Sequence, residues 1–151
     1  MNISAVILAA GQGTRMRSDL PKVLHPLVGR PLAWHALETA RQVTGAQPVM
    51  VIGHGAQAVR QSLGEEAAQF VLQSPQLGTG HAVMQAEPLL RGRSGLVLVT
   101  YADMPLVRPE TLRALVEAHQ RGRGPVSLMT VIAVDPRGFG RIVRDGDGQV
   151  V

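Results

Sequence analysis

The sequence contains no cysteine and few aromatic residues, with two Phe, one Tyr and one Trp. Without cysteine there are no disulfides, no thiolate metal ligands and no cysteine nucleophile. So few aromatic side chains cannot easily form a stacking platform for single strands, and no nucleic-acid partner is expected. No apolar run approaches the roughly 18–20 residues that cross a bilayer, and the N-terminal stretch lacks the positive flank of a secretory signal. We therefore expect a cytoplasmic protein with no membrane partner.

Lysine is also scarce, because Lys22 is the only lysine among the 15 basic residues. Lysine offers a compact point charge on a flexible stem, whereas arginine offers a rigid planar fork. The isolated lysine therefore points to a specific role for Lys22. The chain is 151 residues long, 45% hydrophobic and carries a net charge of +4. These values fit about one globular domain with a small anionic ligand.

Strand-like apolar runs alternate with amphipathic helical stretches along the chain. This order predicts an α/β fold with a mostly parallel sheet and helices on both faces, and a ligand site at the carboxyl ends of the strands. The predicted strands are Ile3–Ala9, Pro48–Ile52, Phe70–Leu72, Leu96–Tyr101 and Val126–Val134, followed by a hairpin over Arg141–Val151. The predicted helices are Pro31–Val43, Ala56–Leu63, Thr79–Leu90 and Pro109–Gln120. The hairpin has no closing element, so we expect the fold to be incomplete at the C-terminus.

The stretch LAAGQGTRMRSDLPK, residues 8–22, follows the first predicted strand. It is not a dinucleotide-binding fingerprint, because Met16 stands where the third glycine belongs, and no Gly-Lys-Ser/Thr follows as in a P-loop. Gly11 and Gly13 still allow the backbone to approach a phosphate. Arg15 and Lys22 add a fork and a point charge, which together predict a polyphosphate clamp. The alternative is an ordinary strand-to-helix turn with surface cations.

Two further segments reach the same predicted edge. Asp103 directly follows the strand that ends at Tyr101 and is well placed for Mg²⁺, although a turn or helix cap is the alternative. In QSPQLGTGHA, residues 73–82, Thr79 is a candidate helix cap, and Gln73 or Gln76 could read a base edge. None of the five histidines is assigned a catalytic role.

The motifs LAAGQGTRMRSDLPK, QLGTGHA, YADMPL and FGRIVR together resemble those of the nucleotidyltransferases that make nucleoside-diphosphate sugars. In particular, the whole chain resembles the N-terminal uridylyltransferase domain of bacterial bifunctional N-acetylglucosamine-1-phosphate uridylyltransferase/glucosamine-1-phosphate acetyltransferase. The resemblance implies a Rossmann-like nucleotidyltransferase fold. It also implies that Mg²⁺-dependent transfer from UTP to N-acetylglucosamine 1-phosphate gives UDP-N-acetylglucosamine, a cell-wall precursor, and pyrophosphate.

The resemblance also assigns roles to individual residues. Arg15 and Lys22 would be catalytic, and Asp103 would bind the metal. The residues that it places in contact with substrate are Leu8, Ala9, Ala10, Gly11, Lys22, Gln73, Gly78, Thr79, Tyr101, Ala102, Asp103 and Gly140. Ala102 departs from the glycine usual in the family, and its methyl group is expected to crowd the ligand or alter the backbone.

The resemblance further implies that residues 1–151 are the N-terminal part of a transferase domain. The rest of that domain and a trimeric β-helix acetyltransferase domain are then absent from this chain, which need not itself be trimeric. Little or no turnover is then expected from residues 1–151 alone. Two alternatives remain open. One is a related transferase for another nucleotide or sugar phosphate, and the other is a non-catalytic nucleotide-sugar-binding module.

Overall fold

A four-stranded parallel sheet forms the centre of the protein in a computed structural model that describes residues 2–13, 16–122, 124–148 and 150. The sheet order is β5-β4-β1-β6, in which β1 is Ile3–Ala9, β4 is Val49–Ile52, β5 is Gln69–Leu72 and β6 is Leu96–Tyr101. A separate small hairpin pairs β2, Pro26–Leu27, with β3, Arg30–Pro31. The helices are α1 (Leu32–Thr44), α2 (Ala56–Leu63), α3 (Thr79–Gln85), α4 (Glu87–Leu90) and α5 (Pro109–Arg121), with short 3-10 turns at Lys22–Leu24 and Glu65–Ala67.

Helices cover both faces of the sheet. The central strand β1 is apolar at every position that points into a core, so both of its faces can be buried. On one face Ile7 packs with Leu37 of α1 and Val59 of α2. On the opposite face Val6 packs with Ala82 of α3. A parallel strand buried on both faces reads as a continuous apolar run rather than an alternating one. The predicted parallel α/β architecture is thus confirmed, and its carboxyl edge lies where β1, β5 and β6 end.

The helix predicted over Thr79–Leu90 is interrupted at Ala86, which separates α3 from α4. Pro88 explains the break, since proline has no amide hydrogen for the carbonyl of Met84 and its ring crowds that carbonyl. The proposed cap was also wrong. Gly78 occupies the N-cap position with φ +92°, and Thr79 is the first helical residue, with no side-chain capping bond.

The strand predicted over Val126–Val134 is absent, and this segment is irregular with most of its apolar side chains exposed. β-Branched residues favour a strand only where a neighbouring strand supplies backbone partners. Residues 125–129 lie beside β6 and α5 without joining the ladder. The hairpin predicted over Arg141–Val151 is reduced to one antiparallel bridge, Arg144 to Val150, around a turn in which Gly148 donates to the Asp145 carbonyl at 3.0 Å. Val151 itself lies outside the description.

No helix in the part of the chain that the structure describes is long and apolar enough to span a membrane.

Candidate functional site

A cavity of about 380 Å³ lies at the carboxyl edge of the sheet. It is formed by the loop after β1, the turn before Val23, the loop between β5 and α3, and the residues that follow β6. The lining residues are Leu8, Ala9, Ala10, Gly11, Gly13, Lys22, Val23, Gln73, Gln76, Gly78, Thr79, Ala82, Tyr101 and Asp103. The volume falls within the range of small-molecule sites.

The cavity therefore contains most of the residues singled out from the sequence, but Ala102 and Gly140 do not line it. Arg15 lies outside the described residues. Ala102 is completely buried in the core cluster shared with α1, and its amide donates to the Leu8 carbonyl at 3.0 Å. Its methyl group therefore packs away from the cavity and does not crowd a ligand there, contrary to expectation. Gly140 lies in an exposed irregular segment and does not line the cavity either.

The loop after β1 presents backbone donors to the cavity. The amide nitrogens of Gly11 and Gln12 donate no hydrogen bond within the described part of the chain. Gly13 has φ +64°, and a Cβ built there would lie 2.6 Å from Cβ of Lys22. Glycine at this position thus satisfies the left-handed backbone and also lets the base of the lysine side chain pack against the loop. Gly11, Gly13 and Lys22 line the same cavity.

Lys22 and Asp103 form an ion pair across the cavity. The Nζ atom of Lys22 lies 2.5 Å from Oδ2 of Asp103, and both side chains are about one-third exposed, at 38% and 33%. Asp103 follows β6, whereas Lys22 begins the turn after the glycine loop, so the sheet edge brings together residues far apart in the chain. Each side chain serves as the counter-ion of the other.

The loop between β5 and α3 contains two amides with different environments. Gln73 is 4% exposed, and its Nε2 donates to the Gly78 carbonyl at 3.0 Å and lies 3.1 Å from Nδ1 of His81. Gln76 donates from Nε2 to the Ala10 carbonyl at 2.7 Å and so ties this loop to the end of β1. The peptide bond between Ser74 and Pro75 is cis.

Asp103 is the group best placed to hold a divalent cation. No cluster of three or more His, Asp or Glu side chains that could hold a metal occurs among the described residues. Mg²⁺ commonly uses only one or two carboxylates together with substrate phosphate oxygens and water. A single carboxylate that is about one-third exposed, beside the glycine-rich loop and a lysine, therefore fits a metal that arrives with a phosphate ligand.

The residues alone left the choice between Gln73 and Gln76 open, the resemblance favoured Gln73, and neither identified Gly53 as part of the site. A Cβ built on Gly53 would lie 2.7 Å from Nε2 of Gln76 and 2.9 Å from the Ala10 oxygen. The Gly-His-Gly sequence at residues 53–55 marks the end of β4, but sequence alone does not reveal which loop passes over it. Val23 and Ala82 also line the cavity, and their apolar character gave no signal for a site.

A parallel α/β sheet with a glycine-rich loop, a lysine and a candidate metal ligand at its carboxyl edge is typical of a nucleotide-binding domain of the nucleotidyltransferase type. The chain belongs to the family of MobA-like NTP transferase domains, whose profile matches residues 5–141.

Individual relatives agree with that assignment. The chain is 55% identical over 150 residues to the "Bifunctional protein GlmU" of Paraburkholderia xenovorans, an alignment that covers 99% of this chain and 32% of that protein. The chain thus spans about one-third of the length of the curated relatives that it matches.

Solved structures show the same fold. The Rv0371c protein of Mycobacterium tuberculosis in complex with manganese superposes with a TM-score of 0.66 at 26% identity, covering 79% of this chain and 60% of that one. A UDP-glucose pyrophosphorylase complexed with UDP-glucose superposes with a TM-score of 0.58 at 25% identity, covering 80% and 54%.

Proposed function

We propose that this chain forms the nucleotide-binding part of an enzyme that transfers uridylyl from UTP to N-acetylglucosamine 1-phosphate. The products would be UDP-N-acetylglucosamine and pyrophosphate. The observation that carries the proposal is the single cavity that brings together free loop amides, Lys22, Asp103 and the buried amide of Gln73. The 55% identity to a protein named GlmU supports the choice of substrates.

The proposed reaction needs no side-chain base, because the sugar phosphate is already an anionic nucleophile. A phosphate oxygen of the sugar attacks the α-phosphorus of UTP, and the bond to the leaving pyrophosphate breaks. The protein must hold the two reactants in line and neutralise charge on the leaving group. The amide of Gly11, which donates no hydrogen bond within the described part of the chain, can bind a phosphate oxygen, and Lys22 can place its ammonium group on the triphosphate. Arg15 is proposed to add a second cation there.

Asp103 is the proposed ligand for Mg²⁺. When bound, this ion would neutralise phosphate charge and polarise the reacting phosphoryl group. Because Lys22 and Asp103 are paired, we expect the triphosphate to take Lys22 as its partner while the cation takes Asp103. Each residue of the ion pair would thereby exchange its present counter-ion for a charge that belongs to the bound ligand.

The uracil ring is proposed to lie against Gln73, Gly78 and Thr79, with the ribose and phosphates following the backbone from Leu8 to Gly11. Tyr101 and Asp103 are proposed to lie on the side of the cavity that faces the sugar phosphate. Substrate contacts from Ala102 and Gly140 belong to the same proposal. Ala102 can make such a contact only through its backbone, because its methyl group is buried in the core.

We also infer that the activity serves cell-wall precursor synthesis in the cytoplasm. Longer relatives would complete the transferase domain and add the acetyltransferase domain that the resemblance implies, and the word "Bifunctional" in their printed name agrees with a second activity.

The test of the proposal is nucleotide selectivity. Isothermal titration calorimetry with UTP, CTP, GTP and dTTP, each with Mg²⁺, should show the tightest binding for UTP. Asp103→Asn should weaken Mg²⁺-dependent binding of UTP by about tenfold or more, since a charge-assisted contact is lost. Glu66→Gln, a change in an acidic residue that does not line the cavity, should leave it unchanged. A clear preference for another nucleotide would overturn the uridylyl assignment, whereas Mg²⁺-independent binding would overturn the role of Asp103.

A further inference from the structure

The orientation of the Gln73 amide is fixed by a neighbouring carbonyl group. Its Nε2 atom lies 3.0 Å from the Gly78 oxygen. A carbonyl oxygen can only accept, so the nitrogen of the amide must face Gly78 and the oxygen must face away. In the described structure this oxygen makes no hydrogen bond, and the side chain lines the cavity. The amide therefore presents an unused acceptor to a bound base.

His81 engages the second hydrogen of the same amide nitrogen. Its Nδ1 atom lies 3.1 Å from Nε2 of Gln73, while its Nε2 atom lies 3.1 Å from Nε2 of Gln85. A neutral imidazole has one bare nitrogen and cannot accept from both amides.

The bare nitrogen belongs to the bond with Gln73. In the described structure the Gln85 amide bonds only His81, and it is less buried than Gln73, which is 4% exposed. The Gln85 amide can therefore turn and accept from a ring N–H with its oxygen, whereas the Gln73 amide is oriented by the Gly78 carbonyl and would keep a costly buried N–H unpaired. Nδ1 of His81 is therefore the acceptor, and the ring proton lies on Nε2, where the oxygen of the turned Gln85 amide accepts it.

We propose that His81 is a positioning residue that sets the base selectivity of the cavity by holding both amide hydrogens of Gln73 inward together with Gly78. This inference rests on the proposed function, in which the cavity holds the base of a nucleotide. A base then meets only the Gln73 oxygen, which pairs with the N3–H of uracil and repels the bare N3 of cytosine. Without His81 only the bond to Gly78 opposes a turn of the amide, and a turn that gives up this bond offers an N–H to cytosine.

The first experiment compares UTP and CTP binding to three variants in the presence of Mg²⁺. The unaltered chain should bind UTP at least about tenfold more tightly than CTP, as expected for a buried hydrogen-bonding group that one base leaves unpaired. His81→Leu removes the acceptor and should reduce this ratio at least about threefold. His81→Asn should restore it, because the Asn amide oxygen can accept near the position of Nδ1. The matched control His119→Leu should keep the ratio, since His119 bonds Ser127 and does not line the cavity.

The second experiment determines the tautomer of the His81 ring by ¹⁵N NMR of the unaltered chain. This measurement needs neither a ligand nor a folded variant. The inference requires an unprotonated Nδ1 and a protonated Nε2. The opposite tautomer would overturn it, even if the chain prefers UTP. A preserved UTP preference in His81→Leu would likewise overturn the role of His81 alone. A preference of the unaltered chain for CTP would overturn both the inference and the proposed uridylyl transfer.

Discussion

At the scale of single residues, the Lys22–Asp103 ion pair links metal binding to nucleotide binding. The ammonium group lies 2.5 Å from the carboxylate that is proposed to hold the metal, so a cation arriving alone must displace it. Lys22→Met should therefore tighten Mn²⁺ binding in the absence of nucleotide, by about two- to fivefold, the range expected for a partly exposed pair. The same variant should weaken binding of UTP with Mg²⁺ by about tenfold or more, because the triphosphate loses its lysine.

Electron paramagnetic resonance of free Mn²⁺ during a titration measures the first effect, and calorimetry measures the second. Arg60→Met is a matched control, since Arg60 forms an ion pair of 3.0 Å with Glu65 and does not line the cavity. It should change neither affinity. Unchanged or weaker Mn²⁺ binding in Lys22→Met would show that the lysine does not compete with the metal.

Lys22→Arg tests whether charge alone suffices at this position. Arginine keeps the positive charge, but its planar fork does not reproduce a compact ammonium at the end of a flexible stem. In a longer relative with a complete domain, the equivalent change should abolish most uridylyl transfer in a pyrophosphate-release assay. Near-normal turnover there would refute the specific role inferred from the scarcity of lysine.

Gly13 sets the position of Lys22. Alanine at this position must adopt φ +64° and place its Cβ 2.6 Å from Cβ of Lys22, so either the loop or the lysine must move. Gly13→Ala should therefore weaken UTP binding with Mg²⁺ by about fivefold or more and lower the unfolding temperature. Gly45→Ala shares the cost of a left-handed backbone, at φ +66°, but its Cβ meets nothing within 4 Å. This control should be destabilised without any loss of UTP affinity. Equal loss in both variants would contradict the contact between Gly13 and Lys22.

At the scale of elements, the loop between β5 and α3 is held against β1 by one side-chain hydrogen bond. Gln76 donates to the Ala10 carbonyl at 2.7 Å, directly above Gly53. Gln76→Leu and Gly53→Ala should both disrupt this bond and weaken UTP binding, each by about fivefold. Because the two changes act on the same contact, the double variant should lose less than the product of the single effects.

Calorimetric titration of the four proteins in this cycle gives the coupling. Gln47→Leu is the control, because Gln47 donates to the Glu66 carbonyl at 3.1 Å on a surface outside the cavity. Multiplicative effects in the double variant would show that Gly53 and Gln76 act separately.

Sequence predicted the exact bounds of two strands, β1 and β6, and of one helix, α2 over Ala56–Leu63. Each of the two strands is an apolar run with a clear beginning and end in the sequence. Their observed bounds, Ile3–Ala9 for β1 and Leu96–Tyr101 for β6, are the predicted ones. One error arose where a tertiary partner decides the outcome, since the β-branched run from Val126 to Val134 has no strand to pair with. The other was local, because Pro88, which is visible in the sequence, interrupts a helical pattern that is otherwise continuous.

The site, too, could be predicted from the sequence only in part. Glycine spacing, the lone Lys22 and the position of Asp103 after a strand could all be read from the chain, and the cavity brings Lys22 and Asp103 together. The bonds that orient Gln73 and anchor Gln76 could not be read, since they depend on how neighbouring loops cross at the sheet edge.

At the scale of the whole molecule, stability should reside in the two faces of the sheet and not in the segment after α5. Leu37 is 1% exposed in the core beneath α1, whereas Ile132 is fully exposed at 102%. Leu37→Ala should reduce the free energy of unfolding by about 2–5 kcal/mol, because it leaves a cavity. Ile132→Lys should change it by less than about 0.5 kcal/mol. Urea denaturation followed by circular dichroism compares them, and a large loss in Ile132→Lys would show that this segment packs in solution.

The position of the cavity within the whole chain predicts that the nucleotide part of a nucleotide sugar contributes much more to its binding affinity than the sugar part does. Among the described residues, those that line the cavity all lie between Leu8 and Asp103, and Gly140 belongs to an exposed segment with open space around it. The sugar of UDP-N-acetylglucosamine should therefore find few contacts, and this ligand should bind no more than about twofold tighter than UDP in calorimetric titrations. A longer GlmU relative measured in parallel should show the larger difference expected when a sugar is enclosed. A strong preference of the 151-residue chain for the nucleotide sugar would mean that the segment after α5 folds over the ligand.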